Sequence, residues 1–155
     1  MHQSRFALTV TFAVAAAFAG GWLLQSGTPQ AHAQSGTRSG SGEPTRLAVL
    51  WTSGDPDVAH RVGLMYTHAT RRAKWFDETK LIVWGPSARL LAADKDVQAK
   101  VKQMMADGVD IQACIVCADS YGVTEDLRAL GIEVKPMGKP LSDLVKDDGW
   151  DVLTF

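Results

Sequence analysis

Between residues 45 and 155 the chain alternates short, continuous apolar runs with stretches of helical period, and that alternation leaves few folds open. Arg46–Ser53 is apolar without a polar alternate, as a strand buried on both faces of a parallel sheet must be. Asp55 can then cap a helix with Pro56 at its first position. Val58, Val62, Met65, Ala69, Ala73 and Phe76 recur at spacings of three and four, which predicts one apolar face of a helix over 56–76. Lys80–Trp84 reads as the second strand, broken by Gly85-Pro86, with a helical turn over 88–91. Asp94 caps a third helix whose stripe is Val97, Val101, Met104 and Met105, and Gly108 stops it. Val109–Val116 reads as the third strand. A short helical segment follows over 117–122, then a helix from Thr124 to the stop at Gly131. Ile132–Lys135 is the fourth strand, Ser142–Lys146 the last helix and Asp151–Phe155 the last strand. This order predicts a parallel sheet with right-handed crossovers and helices on both faces. Sites in such sheets lie beyond the carboxyl ends of the strands. The segments expected there are Thr52–Gly54, Trp84–Ser87 and Cys114–Asp119.

The first residues carry a different pattern. Arg5 precedes the uncharged stretch Phe6–Leu24, and Ala31-His32-Ala33 follows as a cleavage site, so residues 1–33 read as a signal peptide cut after Ala33. The alternative is a retained anchor, but Phe6–Leu24 falls just short of the roughly 20 residues a spanning helix needs. Residues 34–44 are Ser-, Gly- and Thr-rich without an aliphatic side chain and read as a flexible spacer before a single domain at 45–155. The expected location is periplasmic or secreted, with no membrane association after cleavage. A formal net charge of −1 and no basic tract longer than Arg71-Arg72 argue against a nucleic-acid partner.

The local feature that points to chemistry is Cys114-Ile-Val-Cys117 at the end of the third strand. A thiol at a helix N-terminus meets unpaired N–H groups and the positive end of the dipole, which favour the thiolate. On this argument Cys117, at the turn, is the better nucleophile, while Cys114 inside the strand can equally be a core residue. A disulfide between the two closes too small a loop to stabilise the fold much. Two cysteines do not fill a closed zinc site, which needs four ligands. His60 and His68 read as a helix-terminal polar contact and a solvated side chain. Gly-x-Gly-x-x-Gly, phosphate-loop and Gly-x-Ser-x-Gly patterns are absent, and no metal or cofactor is expected. Asp147-Asp148 reads as a solvated helix end. Trp51 and Trp84 read as core or as pocket lining. Ser53, Trp84, Gly85, Pro86 and Asp119 are the candidate ligand-binding residues at the carboxyl edge.

The stretches 81–86 (Leu-Ile-Val-Trp-Gly-Pro), 90–92, 108–119, 121–123, 130–134 and 150–155, in this order and spacing, resemble the DsrE/DsrF-like family over 46–155. The resemblance implies a flavodoxin-like three-layer α/β/α sandwich with a five-stranded, mainly parallel sheet. It also implies a homo-oligomer, trimeric or hexameric. Better-studied members carry sulfur as a persulfide on a Cys at the end of the third strand and pass it to a partner protein. Cys114 matches that position, so the resemblance ranks Cys114 as carrier and Cys117 as its resolving or modulating neighbour. This chain has Ser120-Tyr121 where sulfur-relay members carry Arg before the glycine, and it carries an export pattern where they are cytoplasmic. Expected functions are an exported persulfide carrier, a non-enzymatic binding module with its pocket at Trp84–Pro86, or a thiol–disulfide exchanger.

Overall fold

A computed structural model describes residues 45–155; the signal peptide and spacer expected over 1–44 lie outside the described residues. Five strands form one all-parallel sheet: β1 Arg46–Trp51, β2 Glu78–Val83, β3 Asp110–Cys114, β4 Glu133–Lys135 and β5 Trp150–Thr154. Their order across the sheet is β4-β3-β2-β1-β5. The steps from β1 to β2, to β3, to β4 all run the same way. Right-handed crossovers therefore lay the intervening helices on one face. These are α1 Pro56–Val58 with the π-helical Ala59–Gly63, α2 Leu64–Arg72, α3 Pro86–Ala93, α4 Lys95–Ala106, α5 Ile115–Tyr121 and α6 Thr124–Ala129. The return from β4 to β5 runs the opposite way, and among the described residues its helix α7, Gly138–Lys146, alone covers the other face.

The two faces hold two cores of unequal size. Leu47, Val49, Trp51, Leu81, Val83, Ile111 and Ala113 alternate onto the first face and pack against the six helices. Trp51 is fully buried there, so it packs the core. Ile82 and Cys114 alternate onto the second face, where Met137, Leu141 and Leu144 meet them. The strand ends are tied together by Ser87, whose hydroxyl donates to the Trp51 carbonyl at 2.6 Å and accepts the Trp84 N–H at 3.0 Å.

The helix expected over 56–76 is shorter and turned. It begins as expected, with the Asp55 carboxylate accepting from the Asp57 and Val58 N–H groups. Within it Leu64 N–H reaches back to Ala59 O, five residues away. That wider turn rotates everything after it. The buried face is Ala59, Gly63, Leu64, Thr67, His68 and Thr70, while Val62 and Met65, expected inside, are 40% and 53% exposed. Thr67 and Thr70 are satisfied locally, donating to Gly63 O at 2.7 Å and Thr67 O at 2.8 Å. His68, expected in solvent, is buried: Nε2 lies 2.6 Å from Asp107 Oδ2 and Nδ1 lies 2.7 Å from Lys100 Nζ. Lys100 donates to Nδ1, so Nε2 carries the proton that Asp107 accepts.

Other boundaries differ as well. α3 fills 86–93 rather than one turn. β3 ends at Cys114 rather than Val116, which is already helical and 70% exposed. α7 starts at Gly138 rather than Ser142, because Pro140 falls in its first turn, where a missing N–H costs nothing.

The rotated first helix makes a direct prediction. Leu64→Ala should lower the unfolding free energy by about 2–5 kcal/mol, and Met65→Ala by less than about 0.5 kcal/mol. Urea titration of both variants checks this; equal losses would contradict the observed face.

Candidate functional site

Cys114 is the hinge between β3 and α5. Its backbone is still extended (φ −72°, ψ 116°) and it occupies the N-cap of α5. Ile115, Val116 and Cys117 then make the first helical turn, so Cys117 is the third helical residue. Gly122, at φ 68°, ends this helix in the left-handed conformation. Cys114 thus holds the helix-opening position that the sequence reading assigned to Cys117.

The sheet makes this end distinctive. Cys114 pairs in register with Lys135, the last residue of β4. From Cys114 the chain leaves toward the first face, where Ala118 of α5 joins the larger core. From Lys135 it leaves toward the second face, where Leu141 and Leu144 of α7 join the smaller one. Adjacent strands whose continuations part to opposite faces open a crevice between their carboxyl ends, which is where ligands of open α/β sheets bind.

Around the sulfur atoms the two thiols are unequal. Cys114 is 3% exposed, enclosed by Ile82 and Met137 with Trp84, Leu141 and Leu144 beside it. Cys117 packs on the same cluster but stays partly open. Both are free thiols. Cys117 lies close enough to the Cys114 thiol and to the Gly85 N–H for both to act on its ionisation. Gly85 can face it because its φ of 65° and ψ of −134° turn the chain sharply before Pro86, a conformation that side-chain-bearing residues avoid. Burial pushes the Cys117 thiol up from its ordinary value. The Gly85 N–H pulls it down, and the Cys114 thiol adds to the rise. Desolvation therefore outweighs the lowering by the Gly85 N–H.

The other expected residues fall into two groups. Trp84 and Gly85 lie beside Cys117, and the Ser53-Gly54 loop closes on the next residue, Pro86: a Cβ on Gly54 would lie 3.1 Å from Pro86 Cβ. Ser53 Oγ accepts the Asp55 N–H at 3.1 Å, at the start of α1. Asp119 accepts the Thr124 hydroxyl, toward α6. Sequence reasoning missed Arg89 of α3, whose guanidinium lies 5.4 Å from the Tyr121 ring and brings a cation beside α5. It also missed Met137 and the position of α7 over Cys114, which only the return crossover sets. On the same face a cavity of about 260 Å3 runs along α7, lined by Lys80, Gln112, Lys135 and Leu144 among others. Among the described residues no three His, Cys, Asp or Glu side chains converge to hold a metal ion.

A sequence model of the DsrE/DsrF-like family matches residues 46–155. The chain belongs to the DsrE/DsrF-like family. The structure of BT1422, a conserved protein of unknown function from Bacteroides thetaiotaomicron, is similar at 32% identity and TM-score 0.68, over 72% of this chain and 95% of that one. The ychN protein from E. coli shares the fold at 18% identity and TM-score 0.56, over 72% of this chain and 98% of that one. No curated protein matches the chain. The family and these neighbours agree with the α/β sandwich and its five parallel strands.

In this DsrE/DsrF-like chain the thiols are electrostatically linked, and the link can be measured. Cys114 raises the Cys117 pKa twice over, so Cys114→Ala should move the midpoint of the pH–alkylation profile of Cys117 to lower pH and raise its rate at neutral pH. Iodoacetamide kinetics followed by mass spectrometry check this; an unchanged or higher midpoint would contradict the link.

Proposed function

We propose that this chain is an exported cysteine-persulfide carrier in which Cys117 takes up sulfur and Cys114 resolves it. One observation carries the reading: two free thiols pack in one cluster at the carboxyl edge of the sheet and act on each other's charge, the inner one enclosed and the outer one partly open. The family is generally one of sulfur relay, which supports the same chemistry. The resemblance ranks Cys114 as carrier, but at 3% exposure its sulfur has no room for an incoming donor. We therefore assign uptake to Cys117.

In the uptake step the Cys117 thiolate attacks the outer sulfur of a persulfide or polysulfide donor. A bond forms at Cys117 Sγ, the donor's S–S bond breaks, and the donor leaves as a thiolate. The Gly85 N–H stabilises the anionic form of Cys117 before attack. An acceptor thiol can then attack the outer sulfur and carry it away. Without an acceptor, the Cys114 thiolate attacks Cys117 Sγ, expels hydrosulfide and leaves the Cys114–Cys117 disulfide. An external dithiol returns the two electrons and restores both thiols. The same contact favours a second reading, thiol–disulfide exchange without any bound sulfur.

Export rests on the pattern over 1–33, and assembly into a trimer or hexamer on the family resemblance. Val116 and Val145, 70% and 66% exposed on α5 and α7, are the surface we assign to it.

Mass spectrometry of the exported protein tests these points together. Denatured spectra should give a chain starting at Gln34, and native spectra three or six copies; single copies would remove the assembly. After a polysulfide pulse, Cys114→Ser should retain one added sulfur and Cys117→Ser none. Wild type should release sulfide and end as the disulfide. If no variant gains sulfur while wild type still forms a reversible disulfide, exchange is the function and the carrier reading fails.

A further inference from the structure

The opposite edge of the sheet holds a larger cavity, of about 400 Å3, lined by Arg71, Arg72, Lys74, Phe76, Asp77 and Asp107. Residues 71–77 lead into β2 and Asp107 leads toward β3, so in an all-parallel sheet this is the amino edge. One strand length, about 17 Å, separates it from the thiols. The volume lies within the roughly 300–1,000 Å3 of small-molecule sites. Three cations face two carboxylates here, a local positive excess on a chain whose net charge is −1.

The residues are held for more than packing. Arg71 is clamped, its Nε donating to Asp107 O at 3.1 Å and its Nη1 to Asp77 O at 3.5 Å. The Gly108 backbone lies so close that a Cβ there would sit 2.7 Å from Arg71 Nη2. The remaining guanidinium N–H groups are left for the cavity. Asp107 is engaged from behind by buried His68, and His68 by Lys100, so its carboxylate does not swing across to neutralise the arginines. The side chains of Arg72 and Lys74 have no hydrogen-bond or ion-pair partner among the described residues. Lys74 is also the one non-glycine residue among the described residues at positive φ, 55°. That position, just past the end of α2, is where glycine is ordinarily found, because an L-side chain is strained there. The negative end of the α2 dipole accounts for cations in its last turn, but not for strain at Lys74.

We propose that this cavity binds a small organic oxyanion, a carboxylate or a phosphate monoester, whose charge meets Arg71, Arg72 and Lys74 and whose apolar part lies on Phe76. The site is independent of the thiols and of the sulfur-carrier reading.

The test uses the mature exported protein at low ionic strength, where exposed charges are least screened. Backbone amide resonances of Lys74 and Gly108 are followed while phenyl phosphate, benzoate or benzylamine is added. At least one anion should give saturable shifts and benzylamine none; the anion that saturates at lower concentration separates phosphate from carboxylate. Arg72→Ala should weaken binding about threefold to fivefold. Lys74→Gly should weaken it similarly while raising the melting temperature by about 4 °C, because the strain is relieved. A lysine with a merely structural role would not show that opposition. Linear, non-saturating shifts with all three probes, or a Lys74→Gly variant that binds as tightly as wild type, would overturn the proposal.

Discussion

The pairing of Cys114 with Lys135 across β3 and β4, followed by departure of the chain to opposite faces, is the constraint from which the rest of the site follows. It opens the crevice and puts a cysteine at the N-cap of α5. It also requires the last crossover to cross back over the sheet, so that α7 covers the second face. Cys114 is enclosed because Met137 and α7 lie on it. Cys117, one helical turn on, escapes most of that cover. The inequality of the two thiols is thus a product of topology and not of the cysteines' own chemistry.

Burial and reactivity pull against each other at this site. Removing Cys117 from water raises its pKa, which holds it as the neutral thiol. A single backbone donor, the Gly85 N–H, opposes this. That donor is available only because the loop between β2 and α3 turns through a glycine conformation. Ser87 fixes the loop by bridging the carboxyl ends of β1 and β2. Changes in this loop reach the thiol without touching it.

Much of the fold was legible in the sequence. Strands buried on both faces cannot alternate, so the continuous runs of β1 and β2 were unambiguous, and the helical segments between strands required parallel pairing. The turned face of the first helix was not legible. A π-turn adds one residue to the repeat, and the spacing of Val58, Val62 and Met65 still fits a period of 3.6. Its true inner face includes Thr67, Thr70 and His68, which look exposed until their hydrogen-bond partners are known. At the site, the cysteine pair and the Trp84–Pro86 segment were readable. The division of roles between the thiols depended on whether Ile115 and Val116 end a strand or start a helix. Two β-branched residues read as strand, yet the chain turns helical there to leave the sheet. The amino-edge cavity had no motif, since its side chains come from the end of α2, the segment leading into β2 and the residue after α4, which only the fold brings together.

The central claim is that sulfur resides on Cys117, beside the Gly85 N–H, with Cys114 behind it. A crystal structure of the Cys114→Ser variant after treatment with a polysulfide tests this most directly. The account predicts density for one additional sulfur atom bonded to Cys117 Sγ, beside the β2–α3 loop. An unmodified Cys117 in crystals of protein incubated with excess donor would contradict it.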